Sequence, residues 1–274
     1  MASLSITTIQ SDLAWEDKAA NLEMFSRKIL GLPGKTAIVV LPEMFSTGFS
    51  MDPRRLAEPM DGKTVGWMRT IAREKKIILT GSLIIESGGQ YFNRLVWMLP
   101  NGESGFYDKR HLFAFAGEDQ QYTPGNKRLV ASVNGWRILL QICYDLRFPV
   151  WARQQNLHPP GATRRVKGVE YDLMINVANW PERRNHAWKT LLTARAIENQ
   201  CFVVGVNRVG IDGQGINHSG DSMVVDPLGQ VLYHKAAAED IHTITLEKSV
   251  LEDVREKLPF LQDADNFTII NDEQ

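Results

Sequence analysis

Short apolar runs that stop abruptly at a polar residue constrain this chain more than any other feature. Ala37-Ile38-Val39-Val40-Leu41 has no polar member and ends at Pro42-Glu43. A run of that length without alternation is the pattern of a strand buried on both faces. Residues 171–178 and 201–206 are also mostly apolar and read as buried strands, and residues 136–142 lead straight into Cys143. Strands buried on both faces need cover on both sides, and helical segments lie between them to supply it. Trp15, Leu22, Phe25 and Ile29 share one helical face. Residues 64–75 read as a helix, and so do residues 182–199, where Trp188, Leu191, Leu192 and Ala196 are candidates for the inner face. Residues 247–257 read as a short final helix.

Hairpins interrupt this alternation. Residues 77–85 and 91–98 read as strands around Ser87-Gly88-Gly89, and Pro100-Asn101-Gly102 is a turn signal. Residues 129–133 and 136–142 meet at Asn134-Gly135, the strongest short hairpin signal. Residues 4–10 alternate like a strand. Strands near 221–226 and 231–234 flank Pro227-Leu228-Gly229-Gln230, and 241–246 is the last strand. Hairpins mixed with helical crossovers imply an α/β fold class, and two packed sheets with helices outside would accommodate this many strands. The 274 residues suffice for one large domain or two small ones, and no repeat or linker divides them, so a single domain over residues 1–274 is expected.

Composition narrows the function. A net charge of −1 gives no electrostatic footprint for nucleic acid or an anionic membrane. The N-terminus lacks a basic segment followed by an apolar one, and no stretch reaches the roughly 18 apolar residues that span a bilayer. The 2 cysteines make no disulfide framework, which points to a reducing, cytoplasmic setting. The 6 histidines form no H-E-x-x-H, so neither a metal nor another cofactor is expected.

Three segments carry candidate chemistry. Cys143 ends an apolar strand in Leu140-Gln141-Ile142-Cys143-Tyr144-Asp145-Leu146-Arg147-Phe148-Pro149. If a helix follows, its first amides face a developing oxyanion and favour the thiolate. A cysteine in such a place is otherwise a small core residue, and Cys201, inside an apolar strand, reads that way. Glu43 follows a buried strand directly, where a carboxylate is costly unless paired or used; the alternatives are a general base or a cap. Lys109, in Phe106-Tyr107-Asp108-Lys109-Arg110-His111, would alone read as a solvated surface lysine.

Taken in order, L-P-E-M-F-x-T-G-F at Glu43, Y-D-K-R-H-L-F at Lys109 and C-Y-D-L-R-F-P at Cys143 resemble the nitrilase (carbon–nitrogen hydrolase) superfamily, and most of all its ω-amidases. Asn179-Trp180-Pro181 resembles that family's substrate-side loop, Thr193-Ala194-Arg195-Ala196-Ile197-Glu198-Asn199-Gln200 its helix, and Gly220-Asp221-Ser222 and Asp226-Pro227-Leu228-Gly229 its late strands. The likeness runs from near residue 4 to near residue 262. It implies a four-layer α-β-β-α sandwich, usually dimerised, and a Glu43–Lys109–Cys143 triad. Glu118, in Gly117-Glu118-Asp119 ahead of Tyr122-Thr123-Pro124-Gly125, fits the family's second glutamate.

The activity this implies is deamidation of small acids such as α-ketoglutaramate, with Cys143 as nucleophile, Glu43 as proton carrier, and Lys109 with the Tyr144 backbone amide at the oxyanion. Arg147 is a candidate for the substrate carboxylate, or else a structural ion pair, and Phe115 and Trp180 are candidate apolar walls beside Asn179. The same triad would also serve nitrile, N-carbamoyl amide or broader aliphatic amide hydrolysis. A catalytically silent binding subunit or a redox-sensing thiol are the readings outside that chemistry. Residues Gln155–Gly168 depart from the family pattern as an insertion, expected to be an exposed loop dispensable for catalysis.

Overall fold

The apolar runs become the strands of two sheets packed face to face. The computed structural model describes residues 2–154, 169–265 and 267–270, so the insertion Gln155–Gly168 lies outside the described residues. In chain order the strands of the first sheet are β1 (Ser3–Gln10), β2 (Ile38–Val40), β3 (Ile78–Ser87), β4 (Gln90–Met98) and β5 (Ser104–Asp108). The second sheet holds β6 (Val130–Val133), β7 (Trp136–Ile142), β8 (Leu173–Ala178), β9 (Phe202–Asn207), β10 (Val209–Ile211), β11 (Asn217–Val225) and β12 (Val231–Ala236). The chain then returns to the first sheet as β13 (Asp240–Glu247), which pairs antiparallel with β1. The spatial orders are β13-β1-β2-β3-β4-β5 and β10-β11-β9-β8-β7-β6, with β12 on β11.

Between the sheets lies one core. Leu4, Ile6, Ile38 and Val40 from the first sheet meet Ile138, Leu140, Ile175 and Val204 from the second. Outside the first sheet, α1 (Lys18–Leu30) packs Phe25 and Ile29 onto Val39, Leu41 and Leu79. After a single turn, α2 (Pro53–Leu56), the helix α3 (Lys63–Lys75) adds Met68 and Ile71 to the same layer. Two more short turns follow, α4 (Glu118–Gln121) and α5 (Pro149–Ala152), before α6 (Asn185–Asn199) covers the second sheet with Trp188, Leu192 and Ala196. The last helix is α7 (Lys248–Lys257). The order of layers is therefore α-β-β-α. No helix among the described residues is long and apolar enough to cross a membrane.

Both sheets have a parallel centre. β2 runs parallel to β1 and β3, and β7, β8 and β9 run parallel to one another. Parallel strands share a carboxyl end, and there the connections are free to carry chemistry. Glu43 lies just beyond β2, Cys143 directly after β7 and Asn179 directly after β8. Two strands escaped the sequence reading, β5 and β10; both are short and contain a glycine. Trp15 precedes α1 rather than belonging to it, and packs against Gly48 and Gly213.

Candidate active site

Cys143 is the first residue of a tight 3-10 turn, Cys143–Arg147, where the sequence suggested a helix. Its φ of 43° is left-handed backbone, which a non-glycine residue holds only when its surroundings impose it. Asp145 does so. Its Oδ2 accepts the Ile142 N–H at 3.1 Å and the Tyr107 hydroxyl at 2.7 Å. Its Oδ1 accepts the His111 N–H at 3.0 Å, and His111 Nδ1 lies 2.8 Å from it. This one buried carboxylate ties the turn after β7 to the segment after β5. The sequence reading passed over it, though it sits two residues from the nucleophile candidate.

Lys109 leaves the end of β5 and is completely enclosed. Its Nζ lies 2.8 Å from Glu43 Oε1, 3.0 Å from Glu118 Oε1 and 2.9 Å from Glu118 Oε2. Gly125 makes this placement possible. Its N–H donates to the Lys109 carbonyl at 2.9 Å, and a Cβ there would stand 2.2 Å from the Asp108 carbonyl oxygen. Glu43 has further donors: Asn93 Nδ2 to Oε1 at 2.8 Å, and the Asn179 N–H to Oε2 at 2.8 Å. Asn93 Nδ2 also reaches Glu118 Oε1 at 3.1 Å, and Phe113 N–H donates to Glu118 Oε2 at 2.6 Å. Each buried carboxylate oxygen thus faces at least one N–H, the condition under which charge survives burial. Asn93 had given no sign of itself in the sequence.

The electrostatics follow. Burial works against the Lys109 ammonium, but Glu118 and Glu43 more than offset it and hold its pKa above the ordinary lysine value. Burial raises the Glu118 carboxyl, opposed by Lys109 and reinforced by Glu43. Burial also pushes the Cys143 thiol well up, and the Glu43 carboxylate beside it adds to the effect, outweighing Lys109. That direction favours the thiol over the thiolate. Cys201 is a core residue, buried with no exposed surface, and its thiol is raised to about 12 by burial.

Cys143, Lys109 and Tyr144 open onto a cavity of about 180 Å³. That is below the roughly 300–1,000 Å³ of sites for drug-sized molecules, so a small ligand fits it. Asn179, Trp180 and Arg147 also line it. Trp180 is a buried wall packed at a tilt against Trp188, with ring centroids 5.4 Å apart. Phe115 also lines the cavity but is 79% exposed, so it belongs to the rim; Phe113, behind it at 5.7 Å, is the inner ring. The sequence reading missed Arg183 and Arg184, and also His218, whose pKa is lowered to about 4 by burial and by Arg208.

A chain with this geometry can be compared with known proteins. The carbon–nitrogen hydrolase family model matches residues 5–256. The omega-amidase YafV of Escherichia coli (strain K12) is 42% identical, covering 98% of this chain and 100% of that protein. The 2-oxoglutaramate amidase of Bacillus subtilis (strain 168) is 28% identical over 94% of this chain and 96% of its own length. Among solved structures, XC1258 from Xanthomonas campestris, a CN-hydrolase superfamily protein with an arsenic adduct in its active site, superposes with a TM-score of 0.93 at 42% identity, covering 98% of this chain and 100% of that one.

Proposed function

This chain belongs to the carbon–nitrogen hydrolase family, and from that premise we propose that it hydrolyses the terminal carboxamide of small ω-amido acids such as α-ketoglutaramate, releasing ammonia through a thioester on Cys143. The observation that carries the reading is Cys143 lining a small cavity together with Lys109, whose ammonium is held between the Glu43 and Glu118 carboxylates.

In this mechanism Glu43 takes the thiol proton as the sulfur attacks the amide carbon. Negative charge moves to the carbonyl oxygen. The Tyr144 N–H, at the start of the 3-10 turn, is a donor for it, and such a donor contributes about 3–4 kcal/mol. Lys109 adds its charge. Its three short contacts match its three N–H donors, so it reaches the oxyanion only by sharing a hydrogen now held by a carboxylate. Glu43 then protonates the leaving nitrogen, ammonia departs and the thioester remains. Glu43 next takes a proton from water, the hydroxide attacks the thioester, and the proton returns to the sulfur as the acid leaves. Glu118 orients Lys109 and keeps it charged.

The test is kcat/KM by ammonia release across α-ketoglutaramate, succinamate, a simple nitrile, a carbamoyl amino acid and glutamine. The two ω-amido acids are expected to lead. One methylene more or less changes binding by about 1–3 kcal/mol, so neighbouring chain lengths should be used with graded efficiency. A nitrile or carbamoyl compound at the head of that ranking would refute the substrate class.

The reading extends to a cytoplasmic homodimer. Leu261 of the C-terminal segment is buried on its own chain, while Phe260 remains 61% exposed. A second apolar surface stands out on α6 and β12, where Ile197 and Val231 are 51% and 52% exposed beside Thr193 and Ala194. Exposed apolar side chains gathered in this way suit a self-complementary contact. Light scattering at micromolar concentration is expected to give twice the 31.0 kDa chain mass, and a monomer alone would refute the dimer.

A further inference from the structure

The cavity above Cys143 is lined by more positive charge than its own residues neutralise. Arg147, Arg183 and Arg184 all reach it. None of the three has an ion-pair partner among the described residues. Among the described residues the single carboxylate in the lining, Asp212, is committed to its own turn: Oδ1 accepts the N–H groups of Gln214 and Ile216, both at 2.9 Å. Glu43 and Glu118 lie beneath, engaged with Lys109, Asn93 and main-chain N–H groups.

Two of these arginines are held in place without being neutralised. The Arg147 guanidinium sits over the Trp180 ring, 4.8 Å from its centroid, and the Arg184 guanidinium over the Phe113 ring at 5.1 Å. An aromatic face steadies a guanidinium and leaves its N–H fork free for another partner. Trp180 and Phe113 both line the cavity, so the two cations stand on its walls.

We propose that Arg184, acting with Arg147, is the specificity-determining group that grips the far carboxylate of the substrate. This rests on the ω-amidase reading and deepens it. A substrate whose amide carbon lies against Cys143 extends its other end between the two aromatic walls, and a carboxylate there completes both guanidinium forks. The electrostatics agree: burial lowers the Arg184 pKa, and the neighbouring charges of Arg183 and, less strongly, Arg147 lower it further against an opposing contribution from Cys143, so an arriving anion relieves repulsion among the guanidinium groups. Neutral amides of equal length gain no such term. Selection for an acid therefore comes from the cavity wall and is separate from the groups that break the C–N bond.

The test compares succinamate with succinamide, its neutral counterpart of nearly the same shape. In the wild-type protein kcat/KM should favour succinamate. In Arg184→Ala that preference should fall about 10- to 100-fold, the range that loss of a charge-assisted hydrogen bond produces, and the loss should lie mainly in KM. Arg184→Lys should recover part of it. If Arg184→Ala fails to fold, seen as loss of its thermal transition, Arg184→Gln carries the same comparison at nearly full side-chain length. As a readout independent of turnover, succinate should raise the melting temperature of Cys143→Ala and should lose that effect in Cys143→Ala/Arg184→Gln. A wild-type preference for succinamide would overturn the substrate class on which the proposal stands. A wild-type preference for succinamate that survives unchanged in folded Arg184→Ala would overturn the role of Arg184 alone.

Discussion

Cys143→Ala is expected to lower ammonia release by about 10⁴- to 10⁶-fold, to the background of the uncatalysed reaction, because the covalent path disappears with the sulfur. The fold should be retained. Cys143 holds a φ of 43°, and alanine meets the same backbone at similar cost since both carry a Cβ. Asp145 still pins the turn through Ile142, Tyr107 and His111. The melting temperature should therefore stay close to wild type while activity vanishes. Iodoacetamide gives a second view of the same group. With the thiol pushed up by burial and by Glu43, its alkylation at neutral pH depends on Glu43 taking the proton, so Glu43→Gln should label more slowly than wild type. Turnover persisting in folded Cys143→Ala would exclude covalent catalysis through this residue.

Lys109→Met should damage both activity and stability. Activity should fall by at least about 10²- to 10³-fold as the positive charge beside the oxyanion is lost. Stability should fall by about 3–5 kcal/mol, the cost of leaving a buried ion uncompensated. Here Glu43 and Glu118, both fully buried, would face each other with Asn93 Nδ2 as their shared donor. Two such carboxylates cannot both stay ionised, so one keeps its proton to a raised pKa. The folded variant then binds a proton that the unfolded chain releases near pH 4.3, the ordinary glutamate value. Its stability should be highest below that pH region, as far as this pair is concerned, and should decline as pH rises through the raised folded value. Denaturation of wild type and variant at pH 5.0 and 8.0 measures this. A variant as stable as wild type at pH 8.0, or a deficit that does not grow with pH, would show that Lys109 does not neutralise the pair.

Much of the fold was legible because burial on both faces leaves a plain signature. β2, β7, β8 and β9 are uninterrupted or nearly uninterrupted apolar runs, and the helices between them show one apolar face. β5 was harder to see. It lies at a sheet edge as Ser104-Gly105-Phe106-Tyr107-Asp108, with Tyr107 buried and Phe106 exposed, so its apolar content is small. β10 is three residues long and pairs with β11 around a turn, too short for any period to register.

By itself the sequence determined the fold class, the layer order through its family resemblance, and the candidates Glu43, Lys109, Cys143 and Glu118. A polar side chain that ends an apolar run is visible in one dimension, and an ordered set of such endings identifies a family. Only the tertiary structure decided what those groups meet. Asn93 lies in the middle of β4 and looks like any polar residue of an alternating strand, until folding sets it between Glu43 and Glu118. Arg184 reads as one of two adjacent surface arginines, until the turn before α6 lays it over Phe113, 71 positions away in the chain (184 − 113). The surroundings of the Cys143 thiol were hidden for the same reason. A turn's first amides can be inferred locally, but the burial and the Glu43 carboxylate that push the thiol pKa up come from elsewhere in the chain. Electrostatic interaction depends on distance through space and on exclusion of water, and neither quantity is written along the chain.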